Sequence, residues 1–262
     1  MEVKELERVA RDSVKYLREL SERIEEEGLY KVIGKHGSDV SRVIDKLSEN
    51  YIINSLKELG YSFLFVSEES GVVKYTENYD YIALIDPLDG SNNFLMNIPW
   101  SSISIAIYDP TEDFLNSKVG IVAEVHRDII YSYERDQIFV NGKILTKRII
   151  KDKDIKLYLV YYDIDQIELI SKILKGRRGI KIRSLGCASL DIINVCLGNA
   201  IAYIDIRNRI RNLDVAAAVN FCKRLGINAL DLKGNLIKSS INNVENIKEI
   251  IVSRDLSLIS SY

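Results

Sequence analysis

The 262-residue chain has little of what nitrogen- and sulfur-based active sites require. Its two histidines, His36 and His126, leave little material for a histidine-based zinc site or a Ser-His-Asp triad. Its three cysteines, Cys187, Cys196 and Cys222, show neither metal-ligand spacing nor a disulfide framework, so ordinary free thiols are expected. There is no basic surplus. The formal net charge of −2 gives no reason to expect nucleic acid as a partner. No apolar run reaches the roughly 20 residues of a membrane helix, and the opening MEVKELERVARD is too charged for a signal peptide. No membrane association is expected, and a cytoplasmic location is. Internal repeats and low-complexity segments are also lacking. What remains is the composition of a globular protein, 47% hydrophobic and 28% charged, long enough for one large domain or two sub-domains sharing a core.

Acidic residues at strand ends are what the chain does have. Tyr81 to Ile85 is an apolar run that reads as a buried strand. It leads into Asp86-Pro87-Leu88-Asp89-Gly90-Ser91-Asn92-Asn93-Phe94. Pro87 fixes one backbone angle and biases Asp86 towards the extended region, so both acids leave the strand end in a defined direction. Gly90 permits a tight turn, and a helix starting near Ser91 would present unpaired N–H groups suited to phosphate. A preceding strand, Tyr61 to Val66, ends in Ser67-Glu68-Glu69-Ser70-Gly71. Consecutive strands are usually close, so Glu68-Glu69 and Asp86/Asp89 are expected to meet at one sheet end. Two unit charges about 4 Å apart repel by roughly 4 kcal/mol at an effective dielectric of about 20. Four such groups require protons or cations. All-oxygen ligands favour a hard ion, magnesium first, with manganese or calcium behind it.

The rest of the chain supplies a frame. Helical periodicity predicts helices over Val3 to Ile24 and Val40 to Leu59, with a glycine-bearing mobile loop, 30–38, between them. Ser101 to Tyr108 and Val119 to Val125 read as antiparallel neighbours. Ile129 to Tyr133 and Gln137 to Val140 follow, and Asn141-Gly142 signals a hairpin. Beyond about residue 150 strands and helices alternate: strands at 157–161, 181–184, 200–206 and 247–252, helices at 164–174, 188–197 and 214–225. The expectation is a layered α+β and α/β sandwich. Residues 1–140 would form an α+β sub-domain and 141–262 an α/β sub-domain, with the site between them.

Each acidic element also has an ordinary alternative. Glu68-Glu69 could be a solvated loop, Asp86-x-x-Asp89-Gly an Asp-Gly turn, and Asp214 before Val215-Ala216-Ala217-Ala218 a helix N-cap rather than a further metal ligand. Together, however, the segments resemble the inositol monophosphatase-like phosphatases, which include fructose-1,6-bisphosphatases. Asp86 to Phe94 is similar to that family's central motif, and Ser67-Glu68-Glu69-Ser70 to its Gly-Glu-Glu-Ser. Leu213-Asp214-Val215-Ala216-Ala217 is similar to its Trp-Asp motif. Asp39-Val40-Ser41-Arg42-Val43-Ile44-Asp45 keeps the spacing of its Asp-x-Val-Thr-x-x-Asp segment. Ser184-Leu185-Gly186-Cys187-Ala188 is similar to its substrate segment.

The resemblance implies a layered αβαβα sandwich and a magnesium-dependent phosphomonoesterase, with manganese a possible substitute and two or three ions in the site. Glu68, Asp86, Asp89, Asp214 and the Leu88 carbonyl would hold metal. Gly90, Ser91 and Asn92 would hold the phosphate. Asp45, Glu69 and Ser91 would orient or deprotonate the attacking water. Gly186, Cys187 and Ala188 would line the substrate, with Arg183 and Lys35 as weaker candidates. The substrate would be a small phosphate ester, with inositol 1-phosphate and fructose 1,6-bisphosphate both accepted, and a homodimer is implied. Departures are Leu213 for Trp, Ser91 for Thr and Cys187 for a small hydroxyl residue. Arg207 stands where animal relatives carry an inositol-recognising Glu. It suits a second phosphate through its bidentate fork, or else belongs to a solvated basic loop. Alternatives are a 3'-phosphoadenosine 5'-phosphate-type nucleotide phosphatase of the same family and a non-enzymatic cation-binding regulatory module. An aspartyl-nucleophile phosphatase needs Asp-x-Asp, whereas the central motif has Asp86-x-x-Asp89. A glycosidase carboxylate pair would leave the Gly90-Ser91-Asn92 cradle and Asp214 unexplained. An EF-hand needs Glu at the twelfth position, where Asn97 stands.

Overall fold

The computed structural model describes residues 1–22, 28–29, 31–36, 39–145 and 155–258, with backbone alone at 35, 36, 39–41 and 256. Helix α1 (Val3–Glu22) precedes the antiparallel pair β1 (Val32–His36) and β2 (Asp39–Arg42), and α2 (Val43–Lys57) follows. Next come β3 (Phe63–Ser67), β4 (Gly71–Lys74), β5 (Tyr81–Asp89), the short α3 (Ser91–Leu95) and β6 (Ser102–Tyr108). Strands β7 (Val119–Glu124), β8 (Ile130–Glu134), β9 (Gln137–Val140) and β10 (Lys143–Ile144) form a meander. The remaining elements are β11 (Lys156–Tyr161), α4 (Ile167–Ile173), β12 (Ile180–Arg183), α5 (Ala188–Cys196), β13 (Ala202–Asp205), β14 (Ile210–Arg211), α6 (Asn212–Arg224), β15 (Ala229–Leu230), β16 (Asn246–Ile247) and β17 (Ile250–Ser253).

An eight-stranded sheet runs β10-β9-β8-β7-β6-β5-β3-β4, and a five-stranded sheet runs β12-β11-β13-β17-β15. Residue alternation explains how they stack. On β6, Ile103, Ile105 and Ile107 face the core beneath α1 and α2, while Ala106 and Tyr108 face the core that contains α5 and α6. On β11, Leu159 and Tyr161 join that same α5–α6 core, whereas Tyr158 and Val160 pack on α4. Both sheets are therefore covered on both faces, which makes their inner strands continuously apolar. The result is a five-layer αβαβα sandwich. Helix α6 lies in its middle layer, and Leu213 to Cys222 are all buried, as a helix apolar all round must be.

Four expectations are corrected. The loop expected at 30–38 is in part β-structure, with Val32 paired to Arg42, and the helix expected from Val40 begins at Val43. The side chain of Lys35 lies outside the described residues. The helix expected from Asp214 begins at Asn212. Finally, the sulfurs of Cys196 and Cys222 are joined across α5 and α6, with Cα atoms 5.2 Å apart; only Cys187 is a free thiol. Their 26-residue separation gave no hint, because helix packing in the middle layer creates the proximity. Among the described residues no helix is long and apolar enough to cross a membrane.

Packing between β7 and β8 is tight at one point. Gly120 pairs directly with Tyr133, and a Cβ on Gly120 would strike the buried Tyr133 ring, whose hydroxyl contacts Ser117 Oγ at 2.5 Å. Gly120→Ala is expected to destabilise by roughly 1–3 kcal/mol, because overpacking forces a ring with no free space to move. Thermal or urea unfolding measures it.

Candidate active site

The central motif lies at a bulge. Asp86 pairs with Ser104 and Asp89 with Ser102, so β5 has two residues, Pro87 and Leu88, where β6 has one. Residues three apart in a regular strand face opposite sides. The extra residue restores Asp86 and Asp89 to one face, the face of Ser102 and Ser104. Pro87, with no N–H to donate, fits the interrupted ladder, and its carbonyl accepts a hydrogen bond from Ser48 Oγ at 2.7 Å. Strand β3 runs parallel to β5 with Ser67 opposite Ile85, so the next residues, Glu68 and Asp86, emerge side by side. The expected meeting of acidic strand ends is what parallel pairing produces.

Glutamate Glu49 holds the Glu68-Glu69 turn from α2. Its carboxylate accepts from the N–H groups of Glu69 and Ser70 at 3.1 and 2.9 Å, and burial is offset by Lys46 at 2.6 Å. Two helix starts then add acids in the same way. In α2, Asp45 Oδ2 accepts from Arg42 N at 3.1 Å; in α6, Asp214 Oδ2 accepts from Arg211 N at 2.8 Å. Asp214 is thus the third residue of its helix reaching back to the cap, not the cap itself. The start of α6 is fixed by Asn212, whose Nδ2 donates to the carbonyls of Ser240 and Asn243.

The acids are buried, and burial dominates their titration. It pushes Asp45 from 3.8 up to about 7, helped by the charges of Glu68 and Glu69. Burial and the charges of Glu68, Asp89 and Asp214 raise Asp86 well above the usual carboxylate range. Asp89 and Asp214 are raised too, again by burial; hydrogen bonds from Ser189 oppose the shift in Asp89, and Arg211 opposes it in Asp214. Arg211 is the nearest compensating cation. Its Nη2 lies 2.6 Å from Glu68 Oε1 and 3.2 Å from Asp214 Oδ1. Asp89 is engaged by the start of α5, accepting from Ala188 N at 3.1 Å and Ser189 N at 2.7 Å, with the Cys187 thiol at 3.2 Å.

Above the acids Gly90 adopts φ +81° and introduces α3, whose first N–H groups have no acceptor within the helix. No side chain fits there. A Cβ would meet the carbonyl oxygens of Trp100 at 2.9 Å and Gly186 at 3.0 Å. A cavity of about 370 Å³ opens over the cluster. Glu68, Asp86, Leu88, Asp89, Gly90, Ser91, Asn92, Gly186, Ala188, Arg207 and Asp214, all singled out from the sequence, line it. Asp45 and Glu69 sit behind it, close enough for Glu69 to perturb Asp45. Cys187 is fully buried beneath Gly90. Arg183 stands apart: it is exposed on edge strand β12 and donates to the Ile182 carbonyl. The bidentate edge of Arg207 holds Asp205, at 3.1 and 2.7 Å, and its guanidinium lies over the Tyr161 ring.

Sequence reasoning missed Arg42, Arg209, Arg211, Tyr161 and Tyr203, which also line the cavity. A signal existed for two of them: Arg42-x-x-Asp45 and Arg211-x-x-Asp214 share one spacing. Tyr161 hides behind an ordinary strand pattern. Its hydroxyl accepts from Gly186 N at 2.6 Å and donates to Asp191, which Trp100 Nε1 also reaches, at 2.9 Å. That network seats the 184–188 loop against the cavity.

The sequence pattern of the inositol monophosphatase family matches residues 3–258. The chain belongs to the inositol monophosphatase family. It is 32% identical over 260 residues to an inositol-1-monophosphatase of Aeropyrum pernix, covering 96% of this chain and 95% of that one. It is 28% identical to a fructose-1,6-bisphosphatase/inositol-1-monophosphatase of Methanocaldococcus jannaschii, over 85% of this chain and 84% of that one. A solved inositol monophosphatase–fructose 1,6-bisphosphatase superposes with a TM-score of 0.79 at 24% identity, over 98% of this chain and 96% of that one. The inositol monophosphatase of Thermotoga maritima superposes with a TM-score of 0.75 at 22% identity, over 97% and 94%. The layered fold and the family agree, and the chain is a phosphoric monoester hydrolase.

The donor set fits a small, hard cation. It consists of oxygens, it carries more buried negative charge than Arg211 offsets, and Asp45 Oδ1 is buried without a hydrogen-bond partner. Among the described residues, no three acids are drawn together tightly enough to enclose an ion as they stand. Asp89 is turned to α5, and Arg211 lies between Glu68 and Asp214. Because the folded chain holds a proton on Asp45 up to about pH 7 and the unfolded chain releases it near 3.8, raising pH across that window costs stability. Asp45→Asn is expected to flatten this fall. In chelator, the melting temperature of the wild type should drop from about pH 5 to 7 relative to the variant, on the order of several degrees.

Proposed function

We propose that the chain is a magnesium-dependent phosphomonoesterase of small sugar and inositol phosphates, acting on both inositol 1-phosphate and fructose 1,6-bisphosphate. One observation carries the reading: acids from three distant segments converge beneath the turn at Gly90. The dual specificity is supported by the relatives named for both activities. Glu68, Asp86, Asp89, Asp214 and the Leu88 carbonyl would hold the ions, with manganese able to substitute. A bound magnesium ion would neutralise phosphoryl and leaving-group oxygens and acidify water.

The chain's own groups do the rest. The N–H groups of Gly90, Ser91 and Asn92 and the Ser91 hydroxyl grip the phosphate. Asp45, raised towards neutrality and short of one hydrogen-bond donor, accepts a proton from the attacking water, with Glu69 and Ser91 orienting it. Gly186 and Ala188 face the alcohol, and Arg207 and Arg209, paired with Asp205 and Asp163, line that end of the cavity. In-line positioning and charge stabilisation suffice for phosphoryl transfer, so no nucleophilic side chain is required. The arginine-lined rim also favours a second reading, a nucleotide phosphatase. A bifunctional NADP phosphatase/NAD kinase of Methanococcus maripaludis is 28% identical over 80% of this chain, which spans 40% of that protein.

Phosphate release from inositol 1-phosphate, fructose 1,6-bisphosphate and NADP, with magnesium or with chelator, separates these readings. Turnover of the first two should be comparable and lost on chelation, and Asp86→Asn should lower kcat at least about a hundredfold. Undiminished turnover in chelator would contradict the metal assignment; turnover of NADP alone would favour the second reading.

A further inference from the structure

The guanidinium of Arg211 occupies an unusual place. A single nitrogen, Nη2, reaches Glu68 Oε1 at 2.6 Å and Asp214 Oδ1 at 3.2 Å, while Nε lies 3.4 Å from Asp214 Oδ2. The side chain is 14% exposed, and its backbone is held by pairing of β14 with β16 and by the cap to Asp214. Such a bridge between two carboxylates is the position a counter-ion takes. Without it, at least two largely buried carboxylates would lose their nearest compensating charge.

Resting on the metal reading above, we propose that Arg211 is a built-in counter-ion which holds the acid cluster together when no divalent ion is bound and which must give up Glu68 when one binds. A divalent ion drawn to the same carboxylates competes with the guanidinium nitrogen that stands at hydrogen-bond distance from both, since two cations so close repel. The contacts of Arg211 are charge-assisted and shielded from water, so breaking them opposes binding. Arg211 therefore weakens metal affinity and keeps the site folded in the ion-free state. It is a positioning residue, not a catalytic one.

The test uses the full chain with magnesium as the probe. Calorimetric titration of wild type, Arg211→Gln and Arg211→Lys should give magnesium Kd values in the order wild type weakest, Lys intermediate, Gln tightest. The gap from wild type to Gln should be roughly ten- to a hundredfold, the range set by a charged hydrogen bond. In chelator Arg211→Gln should melt below wild type, and magnesium should raise its melting temperature more. In wild-type protein, the Arg211 Nε–Hε resonance, assigned by its loss in Arg211→Lys, should shift as magnesium saturates. Equal or weaker magnesium affinity in a folded Arg211→Gln would overturn the proposal. If that variant does not fold, an Arg211 resonance unmoved at saturating magnesium would do the same. A wild-type chain that binds magnesium but shows either result sinks this inference alone; one that binds no divalent ion sinks the metal reading with it.

Discussion

Five carboxylates brought together out of water create an electrostatic debt that no amount of apolar packing removes. Asp45, Glu68, Asp86, Asp89 and Asp214 come from two strand ends and two helix starts, and burial raises the titration of the four aspartates. The four aspartates are pinned by backbone: N–H groups at the starts of α2, α5 and α6, and the Leu88 N–H for Asp86. Helix N-termini lessen the repulsion among like charges without neutralising them. What neutralisation the chain supplies comes chiefly from Arg211, and the remainder calls for cations from outside.

The layers serve that arrangement. The large sheet carries Asp86 and Asp89 at the end of β5, and Glu68 just past the end of its parallel neighbour β3, so these acids share one sheet end. The middle helices α5 and α6 bring the start of α5 to Asp89, and Asp214 to the opposite side. Small residues, Ala216 to Ala218, let α6 approach the sheet closely, and the Cys196–Cys222 link ties α5 to α6. A shift of either helix would change distances within the cluster directly. The acid cluster sits where the large sheet meets two helices, whereas the substrate end is built from loops and arginines.

Composition left little material for a histidine-based zinc site or a Ser-His-Asp triad. Motif spacing placed acids at strand ends, and the resemblance of five segments pointed to the family before any coordinates. Those features are local: a Pro-bearing turn, a positive-φ glycine and a capping spacing depend on a few adjacent residues. Most element boundaries were legible for the same reason; the antiparallel pair Val32–His36 and Asp39–Arg42 was not. The strand at Val32 to His36 was read as a loop because only its partner β2 makes it a strand.

The sequence alone determined the chemistry: oxygen donors, a tight turn that tolerates no side chain, and no basic or apolar excess that would suggest another partner. Only the tertiary structure decided the charge balance. Arg211 was one of several arginines in a basic run until β14, β16 and the cap of α6 aimed it between Asp214 and Glu68, the latter 143 residues away in the chain. Arg207, which the sequence offered to a substrate phosphate, was turned onto Asp205. A side chain's partner depends on which backbone lies within a few ångströms. That proximity is set by the stacking of layers and is written in no single segment.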